Sequence, residues 1–189
     1  MSKFNVRTAL LVAGVTFAAP LGASIAYAEM TKMVGGAAMY PSKNIVENAV
    51  HSKDHTTLVA AVKAAGLVQT LEGPGPFTVF APTNEAFAKL PAGTVKTLLE
   101  PANKDKLTAV LTYHVVPGKI TAAELSKMID DNGGHYTVNT VQGGALSFSK
   151  MNGGIAVTDS KGDTAMVTIA DVMQSNGVIH VINTVLLPG

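Results

Sequence analysis

Five histidines, eight methionines and no cysteine bound the chemistry open to this chain. His51 and His55 stand four residues apart, the spacing that puts two imidazoles on one helical face and lets them grip a metal ion. No glutamate follows in the His-Glu-x-x-His manner, and His51-Ser52-Lys53-Asp54-His55 reads better as a solvated turn between helices. Met30, Met33 and Met39 form a second cluster. Thioethers are soft ligands suited to copper(I), but three without a nearby histidine make a sparse metal site. Docking on the domain as apolar gap-fillers is the preferred reading for them. The lack of cysteine removes disulfides, thiol catalysis, thiolate metal sites and a lipidated N-terminal cysteine. No Gly-x-Ser-x-Gly elbow, dinucleotide fingerprint or Walker sequence occurs. Gly73-Pro74-Gly75 precedes a strand, whereas a phosphate loop follows one. Residues 159–163 lack the ligand count of a calcium loop. Lys161-Gly162-Asp163 matches a tripeptide that some integrins read, and a β-turn also wants glycine and aspartate there, so the turn reading is preferred. The expectation is a protein with no catalytic residues, no cofactor and no metal.

The elements that would hold these residues change character along the chain. Residues 29–38 have no clear period and contain Gly35-Gly36, so they read as a flexible lead-in. Ile45, Val46 and Ala49 suit a short helix, and Leu58, Val62 and Ala65 mark a second, with Asp54 as its N-cap and Gly66 as its stop. Glu72-Gly73-Pro74-Gly75-Pro76 is a turn cluster before a strand at residues 77–81. Thr83 is placed to cap the next helix, Thr121 and Glu124 form a capping box, and Leu107, Val110, Leu111 and His114 share one face of another helix. After Asn132-Gly133-Gly134 the period becomes two, from Tyr136 and Val138 through to Ile182. Helices first and strands last, with one strand isolated among the helices, is an α+β pattern.

Lys3 and Arg7 precede an apolar run at residues 9–19, and Ala26-Tyr27-Ala28 supplies a small-residue cleavage site. Residues 1–28 therefore read as a secretory signal peptide, and Pro20 and Gly22 break the run short of the ~20 residues a membrane span needs. Losing Lys3 and Arg7 from the 14 basic residues leaves 12 against 13 acidic residues, a net charge of −1. Such a balance leaves no electrostatic footprint for nucleic acid and no polybasic membrane patch. With 14% charged residues the chain is globular, and it must hold itself together through its core.

Two segments a hundred residues apart then carry most of the information: FTVFAPTNEAF at residues 77–87 and NGVIHVINTVLLP at residues 176–188, with Tyr113-His114 between them. In this order and spacing they resemble the two signature boxes and the central Tyr-His motif of the fasciclin-like domain, over residues 39–188. The resemblance implies one domain, a β-wedge of two sheets flanked by several short helices. It also implies an exported module, periplasmic or extracellular, that acts by cell adhesion or protein–protein contact. In animal members the Tyr-His motif is linked to integrin binding, which makes Tyr113 and His114 partner-binding candidates, although a structural role for His114 at a helix-to-strand junction ranks first. Asp171-Val172 stands where animal members carry Asp-Ile, and the valine departs from that pattern. Thr83, Asn84, Asn176 and His180 match polar positions of the boxes and are expected to brace the boxes against each other. Gly177 is expected to supply a turn needing positive φ. A periplasmic small-ligand or copper-binding protein is the rival reading, its marks being a deep pocket or metal held by Met30, Met33 and Met39.

Overall fold

The computed structural model describes residues 31–189. The signal segment read over residues 1–28, and Met30 after it, lie outside the described residues. The lead-in is more ordered than expected. Lys32–Val34 (β1) and Ala37–Met39 (β2) pair antiparallel around Gly35-Gly36, both at positive φ. Val34 and Met39 are buried in the core. Three-residue strands are too short to show a period, which is why the sequence pattern missed them.

The helices run in a series: α1 (Ile45–Ala49), α2 (Thr56–Ala65), α3 (Val68–Glu72), α4 (Asn84–Ala88), α5 (Thr94–Leu98), α6 (Lys104–Tyr113) and α7 (Ala122–Asp131). Their ends follow local rules. Asn44 and Glu47 close a capping box on α1, Thr121 and Glu124 another on α7, and Gly66 ends α2 at φ +73°. The strands are β3 (Phe77–Pro82), β4 (Val115–Pro117), β5 (His135–Asn139), β6 (Ala145–Met151), β7 (Gly154–Thr158), β8 (Thr164–Gln174) and β9 (Gly177–Ile182).

These seven strands form one sheet in the order β4-β3-β9-β8-β7-β6-β5, in which β3 and β9 are the parallel pair. Strand β8 serves two neighbours. Its first residues, to Met166, pair with β7, and Val167 onward pairs with β9 across two register shifts. Bulges bend a strand, so the sheet divides at β8 into two leaves with helices packed around them, the α+β wedge that the sequence implied.

Strand β9 is buried at each of its six positions. Side chains alternate across a strand. Ile179 and Val181 therefore join Val79 and Ala81 in a core with Leu58, Val62 and Leu111. Ile182 joins Phe80 in a second core with Leu146, Phe148 and Val157. The strand ends at Ile182 and not at Leu187, but Val185 and Leu186 beyond it remain buried.

Candidate functional site

Tyr113 ends α6 and its side chain is fully buried. Its hydroxyl donates to the Ala145 carbonyl at 2.7 Å and accepts from the Ser160 N–H at 3.0 Å. His114 follows as the C-cap, 3% exposed. Its Nδ1 lies 2.8 Å from the Val110 carbonyl, which can only accept, so Nδ1 carries the proton. Its Nε2 then accepts the Leu186 N–H at 3.0 Å. Burial lowers the His114 pKa to about 4. This is a neutral ring with both nitrogens committed, and neither motif side chain reaches the surface for direct recognition.

Asp159 completes this cluster. Its Oδ1 accepts from the Lys161 and Asp163 N–H groups, forming the turn that carries Lys161-Gly162-Asp163 at its exposed tip. Its Oδ2 accepts from the Leu187 N–H at 2.8 Å. His114 and Asp159 thus hold consecutive amides of the C-terminal segment. The sequence offers Asp159 only as a poor calcium ligand, and an acidic side chain two residues past the buried Ile155–Val157 run of β7 gives no local hint of this partner.

His180 sits at the centre of β9, fully buried and stacked on Phe80 with ring centroids 5.5 Å apart. Its Nε2 is 2.9 Å from the Ile120 carbonyl and therefore donates, while Nδ1 accepts the Asp171 N–H at 3.2 Å. Burial lowers its pKa, and the nearby Asp171 only partly opposes this. Asp171 occupies the β8 bulge at φ +55°, and its carboxylate accepts the Ala122 N–H at 2.8 Å, at the start of α7. Val172 is 1% exposed and belongs to the core. Val172 is thus packed away, while the half-buried Asp171 commits one carboxylate oxygen to the start of α7.

Asn176, also buried, ties three elements. Its Oδ1 accepts the Ile45 N–H of α1, and its Nδ2 donates to the Leu71 and Gly73 carbonyls at the end of α3. Its own carbonyl accepts the Phe77 N–H of β3. Gly177 is not at positive φ. A Cβ there would stand 2.0 Å from the Phe77 carbonyl oxygen, so glycine is required by close backbone approach rather than by turn geometry.

The first box braces differently from expectation. Thr83 Oγ1 accepts the Ala86 N–H as N-cap of α4, as the sequence implied. Asn84 turns away from the second box. Its Oδ1 accepts from Thr56 Oγ1 and the Thr57 N–H, and its Nδ2 donates to the Lys53 carbonyl. It therefore caps α2 from outside, the role the sequence reading gave to Asp54. His180 and Asn183 find partners elsewhere, Asn183 accepting the Met166 N–H. The two boxes meet through the backbone ladder of β3 and β9, extended by the Thr83 N–H to the Ile182 carbonyl.

Among the described residues, the metal candidates do not converge. Met33 is 61% exposed while Met39 is 2% exposed, on the other face of the hairpin. Among the described residues no cluster of three histidine, aspartate or glutamate side chains could hold a metal ion. His51 is exposed, whereas His55 is buried with Nδ1 2.9 Å from Ser52 Oγ, so the two imidazoles do not share a face. No helix among the described residues is long and apolar enough to cross a membrane.

The chain as a whole is similar to known proteins. The fasciclin domain family model matches residues 53–188. Protein sll1483 of Synechocystis sp. is 52% identical over 160 residues, covering 85% of this chain and 82% of that protein. Immunogenic protein MPB70 of Mycobacterium bovis is 34% identical over 74% of this chain and 66% of its own. The transforming growth factor-beta-induced protein ig-h3 of Sus scrofa is 39% identical, but the match spans 17% of that longer protein. The FAS1 domain pair of the insect cell adhesion molecule fasciclin I superposes with a TM-score of 0.68 at 20% identity, over 77% of this chain and 51% of that one, a likeness of fold. The chain therefore belongs to the fasciclin domain family.

Proposed function

We propose that this chain is an exported, non-enzymatic contact module, one domain over residues 39–188 with the β1–β2 hairpin packed on it, acting in the cell envelope or outside the cell. The observation that carries this reading is family membership, together with a solved relative described as a cell adhesion molecule. The site geometry supports it. His114 and His180, the histidines of the signature motifs, each have both ring nitrogens hydrogen-bonded and are held neutral by burial, so neither is free to move a proton for a substrate. Tyr113, His114, Asn176, Gly177 and His180 act as the internal frame, and contact with a protein or cell-surface partner falls to the exposed loops that this frame positions. The signal-peptide reading of residues 1–28 supports export, with cleavage before Glu29.

The test is attachment. Surfaces coated with the mature chain should retain bacterial cells several-fold above surfaces coated with the same chain heat-denatured. Equal retention on both coatings would overturn the adhesion reading.

A further inference from the structure

Behind α1, α2 and α3 lies a cavity of about 50 Å³. Its walls are apolar, with Val62 and Leu71 from the helices and Val79 and Ile179 from the paired strands. His55 also lines it, and is 3% exposed. Its Nδ1 is hydrogen-bonded to Ser52 Oγ, but its Nε2 has no hydrogen-bond partner. The Ala81 backbone favours the protonated ring without closing a bond of ordinary geometry to Nε2. His114 reaches the same cavity with both nitrogens already engaged. The wall therefore presents one uncommitted polar atom.

A buried polar atom calls for a partner. Water is a poor candidate, because an internal water is held by 2–4 polar groups and this wall offers one. The space is also several times the ~10–15 Å³ that one water requires. A molecule with a compact apolar body and one hydrogen-bonding group meets both demands: it covers the hydrocarbon wall and gives Nε2 its partner. Where the Ser52 hydroxyl donates to Nδ1, Nε2 carries the ring proton and the ligand must accept; a hydroxyl can serve either tautomer. Val46, Val59 and Val68, also lining residues, are partly exposed, one on each of the three helices, and mark the side from which a ligand would enter.

We propose that this cavity binds a compact, neutral hydrophobic molecule carrying a single hydroxyl or carbonyl, with His55 Nε2 as its polar contact. The site is separate from the partner contacts proposed above, and its failure leaves that reading standing. The experiment is an amide and imidazole ¹⁵N titration of the mature chain with phenol, and in parallel with benzene, which has the same ring and no hydroxyl. Saturable shifts confined to α1, α2, α3, the β3 and β9 residues that line the cavity and the His55 ring are expected, with phenol bound at least fivefold more tightly than benzene. The His55→Leu chain should lose that preference. Should this variant not fold, the phenol-to-benzene ratio and the His55 Nε2 resonance in the parent chain decide alone. Equal affinity for the two rings, an Nε2 resonance that phenol leaves unmoved, or a crystal structure with one water on Nε2 that phenol does not displace would each overturn the proposal.

Discussion

Two regions of this molecule bury histidine in opposite ways. Around the C-terminal segment, His114 and His180 sit in the dark with both ring nitrogens bonded, each ring joining elements far apart in sequence. Behind the helices, His55 is buried to the same degree but half-partnered, facing a void. Burial alone does not distinguish a brace from a site. Hydrogen-bond satisfaction does, because a fully bonded imidazole has no capacity left for a ligand, whereas an unbonded nitrogen costs free energy until something meets it.

The sharpest way to break this contrast is to remove the segment that the braces hold. Deleting residues from Asn176 onward takes away β9, the parallel partner of β3 and a contributor to both cores. Cooperative urea unfolding is expected to disappear. Removing residues 29–36 strips β1, the Lys32 bond to the Ala170 carbonyl, the Gly35 carbonyl that accepts the Lys53 N–H and the burial of Val34, which is worth about 2 kcal/mol, and should leave a cooperative transition. A sharp transition near the parental midpoint in the C-terminal truncation would show that β9 is peripheral.

Acid should act next. His114 titrates at about 4 when folded against about 6.5 when unfolded, so the unfolded chain takes up the proton first as pH falls. Stability present above pH 6.5 is lost on the way down to pH 4, by about 3 kcal/mol at ~1.4 kcal/mol per pH unit. His55 and His180 are shifted the same way and steepen the loss. Chemical denaturation across that range measures it. His114→Ala should cost about 1–3 kcal/mol at pH 7, by leaving the Val110 carbonyl and Leu186 N–H unpaired, and should flatten the pH dependence.

The smallest effect concerns a brace at the surface. Asn84→Ala removes the external cap of α2 and should cost about 1 kcal/mol. A loss as large as that of His114→Ala would mean that the first box carries more of the fold than its partly exposed hydrogen bonds imply.

Residues whose roles are local were readable from sequence. Thr83 and the Thr121–Glu124 pair cap their own helices, Gly66 stops its own, and the apolar run of β9 marks a strand buried on both faces. Roles that depend on distant chain were not. Asn84 caps a helix nearly thirty positions upstream, Asp159 holds Leu187, and His180 is served by a bulge in β8. Gly177 was legible as a special glycine, but the reason lay in the Phe77 carbonyl, a hundred residues earlier. The Tyr113-His114 motif was recognisable as a pattern, while its burial depended on α6 ending inside the fold.

The claim that the motif is an internal brace is most directly tested by following the His114 imidazole nitrogens by ¹⁵N NMR from pH 7.5 to 4. The ring should remain neutral with its proton on Nδ1 until about pH 4, close to acid unfolding. A His114 that titrates near 6.5 in the folded protein would be solvated and free for recognition, and would contradict the account.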